Sequence, residues 1–260
     1  MVHFAPYQIK FMFDYRQRIY QYYVHARQQS LAPETIDGLR PRAPFLKNLI
    51  RDHFPADKNV VVLDLGCGHG ALVHFVRVAG YHNVTGVDRS PQQVKEAEHL
   101  GIKGVREGDL MDALRTQSDE SVDVVVAFDV IEHFTKDELL PFLDQVHRVL
   151  RKEGRWIIHA PNGEAPFGVR MRYWDFTHEL AFTRTSIIQL LKSSGFSRVS
   201  CFEDTPVVHG IKSMARWILW KVIRGFLRMY LAVETGGRRK GLHFYPEFPD
   251  SGCEINAWHC

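Results

Sequence analysis

Two groups of residues in this 260-residue chain have types and spacings that do chemistry. The first is Asp64-Leu65-Gly66-Cys67-Gly68-His69-Gly70, at the end of the largely apolar run Asn59 to Leu65. Glycines at such a point let the backbone turn tightly and approach a ligand closely. The next apolar run ends in Asp88, 22 residues beyond Gly66. A carboxylate there can accept hydrogen bonds from both hydroxyls of a ribose. The spacing is GxGxG rather than GxGxxG, and no second nucleotide-binding half follows, which argues against a nicotinamide dehydrogenase. The plainer alternative is a glycine turn that only joins a strand to a helix.

The second group is Asp129-Val130-Ile131-Glu132-His133-Phe134, with a later cluster at Pro161-Asn162, Arg172 to Glu179 and Phe182-Thr183. A sugar or alcohol hydroxyl is barely ionised at neutral pH. A histidine within hydrogen-bond reach can take its proton as the oxygen attacks, and His178 and His133 are the candidates. A metal is the other option, since Asp129, Glu132, His133 and His178 form an O,O,N,N set for a divalent cation such as Mg2+. Against both stands a bland reading, in which Glu132 and His133 cap the following helix or pair with a surface arginine.

Alternating apolar runs and helical patterns must position these groups. Strands are expected at 59–65, 84–88, 102–107, 122–128, 155–160 and 197–203, with helices at 71–79, 91–100, 136–150 and 185–194. Ser90-Pro91 reads as an N-cap followed by an N1 proline, and Gly195 as a helix stop. Alternation of this kind means α/β with right-handed crossovers and a parallel sheet. Residues 1–58 read as a helical, aromatic lead-in broken by prolines, with a short amphipathic helix at 43–53. Residues 254–259 read as a short last strand.

Asp64 to Gly70 together with Gly86-Val87-Asp88 resembles the class I S-adenosylmethionine-dependent methyltransferases, over about 59–203. The resemblance implies a Rossmann-like fold of seven strands, the last antiparallel. It places Gly66 and Gly68 under the methionine part of S-adenosyl-L-methionine, with Cys67 between them, and has Asp64 orient the loop or a bound water. Asp88, with Arg89 beside it, meets the ribose. Asp109 and Leu110 meet the adenine, and Phe128 packs nearby. A cofactor without phosphate needs close approach rather than an anion cradle. Pro161-Asn162, Asp175, Thr177-His178, Phe182-Thr183 and Gly195-Phe196 resemble bacterial methyltransferases of polysaccharide and lipopolysaccharide biosynthesis. The acid-x-x-acid-His pattern resembles the divalent site of small-RNA 3′-terminal 2′-O-methyltransferases, with Asp129 where that family has a glutamate.

The net charge of +3 hides a split. Residues 206–240 hold eight Lys/Arg against Glu234, which is +7. The remainder is −4. Lys212, Arg216, Trp220, Arg224 and Arg228 recur every four residues, and Ile211, Ala215, Ile218, Val222 and Met229 fall on another face. Gly225 would weaken or bend this helix. It could pack its apolar face on the body, lie on a membrane surface through 211–231, or meet a phosphate-rich acceptor.

Cys67, Cys201, Cys253 and Cys260 have no framework spacing, and the first 23 residues lack the apolar core of a signal peptide, so a cytoplasmic compartment is expected. Three segments follow: a cap at 1–58, a cofactor-binding core at 59–205, and a basic insertion with a final strand at 206–260. The expected activity is O-methylation of a sugar or glycan intermediate, the acceptor being a small molecule or glycan. Alternatives are a quinone-type phenol, an RNA 2′-hydroxyl, or an inactive cofactor-binding adaptor. Nucleic acid would call for a more basic body.

Overall fold

The computed structural model describes residues 15, 16, 19, 32–165, 168–202, 205–234 and 253–256. A 3-10 turn at Ile36–Arg42 leads into α1 (Ala43–His53), which starts with Pro44 in its first turn, where no amide hydrogen is needed. Then strands and helices alternate: β1 (Val61–Leu65), α2 (Ala71–Val78), β2 (Asn83–Asp88), α3 (Pro91–His99), β3 (Val105–Glu107), α4 (Leu110–Arg115), β4 (Val122–Phe128), α5 (Lys136–Val149) and β5 (Leu150–His159). The chain continues through α6 (Gly168–Arg172), α7 (Arg184–Ser193), β6 (Val199–Phe202), α8 (Ile211–Glu234) and β7 (Cys253–Asn256).

Five strands in the order β3-β2-β1-β4-β5 form the parallel core, and the sheet continues as β7-β6. Successive strand side chains point to opposite faces, and the apolar residues divide accordingly. Val62, Val124, Val126 and Ile157 face α1 and α2, packing on Leu46, Leu49, Val73 and Val76. Leu63, Leu65, Val125, Ala127, Trp156 and Ile158 face α4, α5 and α7, packing on Leu114, Phe142, Val146 and Leu191. Both faces are covered, which is why β1 and β4 read as apolar runs interrupted only by Asp64 and Asp123.

The last strand departs from expectation. β7 pairs parallel, not antiparallel, with both β5 and β6. An antiparallel partner would follow β6 through a tight turn; here residues 203–252 intervene. That is ample chain for the crossover that a parallel strand requires. Smaller differences also have local causes. β3 starts at Val105 rather than 102 because the Ile102 amide donates to Ala97 O, closing the end of α3, and Gly104 then turns the chain. β5 starts at Leu150 rather than 155: Val122 pairs with Leu150, the register shifts, and pairing resumes at Val124 with Arg155. The helix α4 was not expected at all.

Ser90 does cap α3, accepting from the Gln93 amide. Thr135 and Glu138 form a reciprocal capping box on α5, and Gly195 sits past α7 at φ 94°. The helix at 43–53 is part of the sandwich. The rest of the expected cap lies largely outside the described residues. Of its described residues, Tyr15 donates to the Glu179 carboxylate, and Arg16 forks onto Glu138 at 3.0 and 2.8 Å. α8 is continuous through Gly225, around which there is open space. The face expected to pack on the body does not: Ile211, Ala215, Ile218, Val222 and Met229 are exposed. The half-buried positions are Ser213, Trp217, Trp220, Arg224, Leu227 and Leu231. Among the described residues no helix is long and apolar enough to cross a membrane.

Candidate active site

The carboxyl ends of β1, β2, β4 and β5 bring the expected groups to one edge of the sheet. After β1 the chain turns through Gly66 (φ 74°) and Gly68 (φ 55°), conformations that favour glycine. The Gly66 and Cys67 amides both donate to Val87 O, at 2.8 and 3.1 Å, so the loop is tied to the end of β2. Asp88 accepts from the Gly68 amide at 2.7 Å through one oxygen and from Ser90 at 2.8 Å through the other. Each oxygen retains a second lone pair for a ligand hydroxyl. A Cβ on Gly66 would lie 2.5 Å from Val130 Cγ2, so that glycine is needed for packing. A Cβ on Gly68 would meet nothing nearer than Gln93 Oε1 at 3.7 Å, so this stretch of backbone is open to a ligand. Gln93 Oε1 is itself buried without a hydrogen-bond partner. An open glycine and a carboxylate with spare lone pairs fit a nucleoside carrying an amino-acid tail.

Asp64 is only 3% exposed, and burial first, then the charge of Asp88, push its carboxyl up to about 7. Burial likewise raises the Asp88 carboxyl, opposed by its two amide donors, and raises the Cys67 thiol, whose Sγ points at Gly68 O. A folded-state pKa above the ordinary 3.8 makes stability decline with rising pH between about 4 and about 7, and stay level above. Three units correspond to at most about 4 kcal/mol. Ligand-free Asp64→Asn should therefore melt higher than the parent at pH 8 and like the parent at pH 4. A calorimetric series checks this, and equal melting at both pH values would contradict it.

Asp109 caps α4, accepting from Met111 at 2.9 Å and Asp112 at 3.3 Å. It is exposed, Leu110 packs against the core, and Arg89 is exposed. Phe128 ends β4 with its ring centroid 6.3 Å from Phe45 and 5.4 Å from His159.

The acid-and-histidine residues divide into two sites. Asp129 adopts φ 54°, and its Oδ1 meets His159 Nδ1 at 2.7 Å. His159 was not anticipated, although it ends β5, where a chemistry-bearing residue would have been sought. Both residues line a cavity of about 510 Å3 walled by Arg42, Phe45, Phe128, Arg216 and Trp220. Glu132, His133 and His178 gather elsewhere, each offering a donor atom within 4.8 Å of the others. The expected four-ligand set is thus three residues. Asp129 does not join it, because its left-handed backbone turns it to His159.

Glu132 is fully buried with neither oxygen hydrogen-bonded, and burial above all holds its carboxyl well above the usual range. Thr177 donates to Asp175 Oδ1 at 2.7 Å, so its oxygen accepts from His133 Nδ1–H at 2.8 Å. That leaves the lone pair of His133 on Nε2. Burial first, then His178, depress His133 to about 4. The two imidazole centroids lie 4.7 Å apart.

The second expected motif finds structural employment. Asn162 bridges to Phe182, Thr183 caps α7, Asp175 orients Thr177, and Phe196 is buried. The bacterial polysaccharide resemblance draws no separate support from these positions.

Residues 63–158 match the family described as "Methyltransferase domain". The chain is 39% identical over 84 residues to a tetrahydroprotoberberine N-methyltransferase of Papaver bracteatum, covering 30% of this chain and 23% of that protein. It is 30% identical over 94 residues to the ubiquinone biosynthesis O-methyltransferase of Rickettsia felis, covering 35% and 38%. The chain thus spans well under half the length of these relatives. Among solved structures, an S-adenosylmethionine-dependent methyltransferase from Archaeoglobus fulgidus superposes with TM-score 0.53 at 24% identity, covering 62% of this chain and 72% of that one. The glycine turn, the acid after β2 and the parallel sheet all lie within or beside the matched segment, and residues 63–158 match a methyltransferase domain on a fold shared with that solved structure.

Proposed function

We propose that the chain transfers the methyl group of S-adenosylmethionine to a hydroxyl oxygen of a sugar or glycan intermediate. The observation that carries this reading is the Asp129–His159 pair, set in the cavity beside Phe128. The cofactor supplies a methyl group made electrophilic by its sulfonium. Gly66 and Gly68 leave room for its methionine part, Asp88 takes the ribose hydroxyls, and Asp109, Leu110 and Phe128 border the adenine. With Nδ1 committed to Asp129, His159 receives the hydroxyl proton at Nε2 as the oxygen–methyl bond forms. When bound, the cofactor would give up its methyl group and keep the electron pair of the broken bond on sulfur, and His159 would pass the proton to solvent. Asp129 stabilises the transient imidazolium and fixes the tautomer. Phe45, Phe128 and Trp220 offer flat apolar surfaces for a sugar ring, with Arg42 and Arg216 for its polar groups.

The test is a labelled-methyl transfer screen over glycan, quinone-phenol and RNA acceptors. Label in a glycan hydroxyl supports the reading. Label confined to a phenol or to RNA moves the acceptor class. Cofactor binding with no S-adenosylhomocysteine from any acceptor makes the chain an adaptor.

A second reading rests on Glu132, His133 and His178. A buried carboxylate without a hydrogen-bond partner beside two histidines suits a divalent cation, which would polarise an acceptor hydroxyl. In this reading His133 and His178 are ligands rather than bases. Dialysis against EDTA should leave turnover within about twofold if the His159 route operates alone. A loss restored by Mg2+ would establish the cation.

A further inference from the structure

α8 exposes the wrong face for a helix that serves only to pack. At 100° per residue, Ile211, Ile218, Val222, Phe226, Met229 and Val233 fall within an arc of about 80°. All six are exposed, Ile211 at 83%, Phe226 at 64% and Val233 at 79%. The opposite side carries the half-buried Trp217, Trp220, Leu227 and Leu231. Lys212 and Arg216 border the apolar arc on one side, and Lys221 and Arg228 border it on the other. No acidic residue occurs from Thr205 to Val233.

A contiguous apolar face of this size on a 24-residue helix is more than a monomer ordinarily leaves in water. Its charge pattern selects the occupant. A protein partner would commonly leave mixed charge at the rim, whereas cations on both flanks of an apolar stripe match acyl chains below and anionic headgroups on either side.

We propose that α8 seats the protein on an anionic lipid surface, lying in its plane with Ile211, Ile218, Val222, Phe226, Met229 and Val233 directed into it. The inference goes beyond methyl transfer and stands without it. Its consequence for the site is spatial. Arg216, Leu219, Trp220 and Ile223 of the same helix wall the cavity that holds Asp129 and His159. Seating α8 therefore brings that cavity to the lipid boundary.

The test is co-sedimentation of the full chain with vesicles of phosphatidylcholine alone or with about 30 mol% phosphatidylglycerol. Binding to the anionic vesicles should exceed that to the neutral ones by about tenfold or more at low salt, and decline as salt rises. Val222→Glu/Phe226→Glu and Lys221→Glu/Arg228→Glu should each reduce it about tenfold. All four side chains are exposed, so circular dichroism and melting should match the parent. Failure to sediment with anionic vesicles at low salt overturns the proposal. So does self-association that Val222→Glu/Phe226→Glu abolishes while vesicle binding is absent, since the face then belongs to a second copy.

Discussion

Replacing Asp88 by alanine should weaken S-adenosylmethionine binding by about 100-fold or more. The carboxylate is expected to hold two ribose hydroxyls, and hydrogen bonds to a charged acceptor contribute about 1.5 kcal/mol or more each. The same change releases the Gly68 and Ser90 amides, so the loop loses the geometry that exposes its glycine backbone. Asp88→Asn keeps one acceptor oxygen and should lose about tenfold. Gly68→Ala separates binding from folding. Its Cβ would meet only Gln93 Oε1 at 3.7 Å, so the folded chain carries mainly the strain of an alanine at φ 55°, about 1 kcal/mol. Yet the added carbon stands where the cofactor must approach, and affinity should fall more than tenfold. Isothermal titration with S-adenosylhomocysteine, beside melting curves, checks both. Undiminished affinity in Asp88→Ala and Gly68→Ala would remove the cofactor from this loop.

The glycine-turn side of the molecule was legible because local rules and tertiary structure agree there. Residues 59–65 and 122–128 are apolar except for Asn59, Asp64 and Asp123, and glycines mark a turn whose φ values favour them. Ser90-Pro91 announces a helix start that forms as written. The acceptor side was less legible because its geometry depends on one backbone angle. In sequence, Asp129 stands three residues before Glu132 and looks like its partner. In the fold, φ 54° swings it across to β5, and the metal-like cluster loses a member while a His–Asp pair gains one. His159 gave no warning beyond its position at the end of an apolar run. The parallel β7 was hidden for a related reason: pairing direction depends on the path of 203–252, not on residues 253–256. For α8 the periodicity was visible, but not which side the body would cover. Trp217, Trp220, Leu227 and Leu231 took the inner face, and Ile218, Val222, Phe226 and Val233 the outer.

His159→Ala should lower kcat by about 10²- to 10³-fold while leaving cofactor affinity within about twofold, since general base catalysis contributes effects of this order. The ring lies in the cavity walled by Phe45 and Trp220 rather than against the glycine loop, which is why the two measurements should separate. Asp129→Asn is the sharper variant. Asparagine tolerates the left-handed region, so φ 54° is retained, and its amide oxygen can still accept from Nδ1–H. Only the charge is removed. Turnover should drop about tenfold or more if the carboxylate stabilises an imidazolium formed during transfer, and little if it merely orients the ring. His133→Ala and His178→Ala supply the contrast. If either loses turnover as His159→Ala does, with no dependence on added cation, the base belongs to the buried cluster. If they lose it only in step with Mg2+ binding, the cluster is a metal site. The His159 assignment requires the third pattern. In it the His159 variant is slow at every cation concentration, and the His133 and His178 variants stay within about tenfold of the parent.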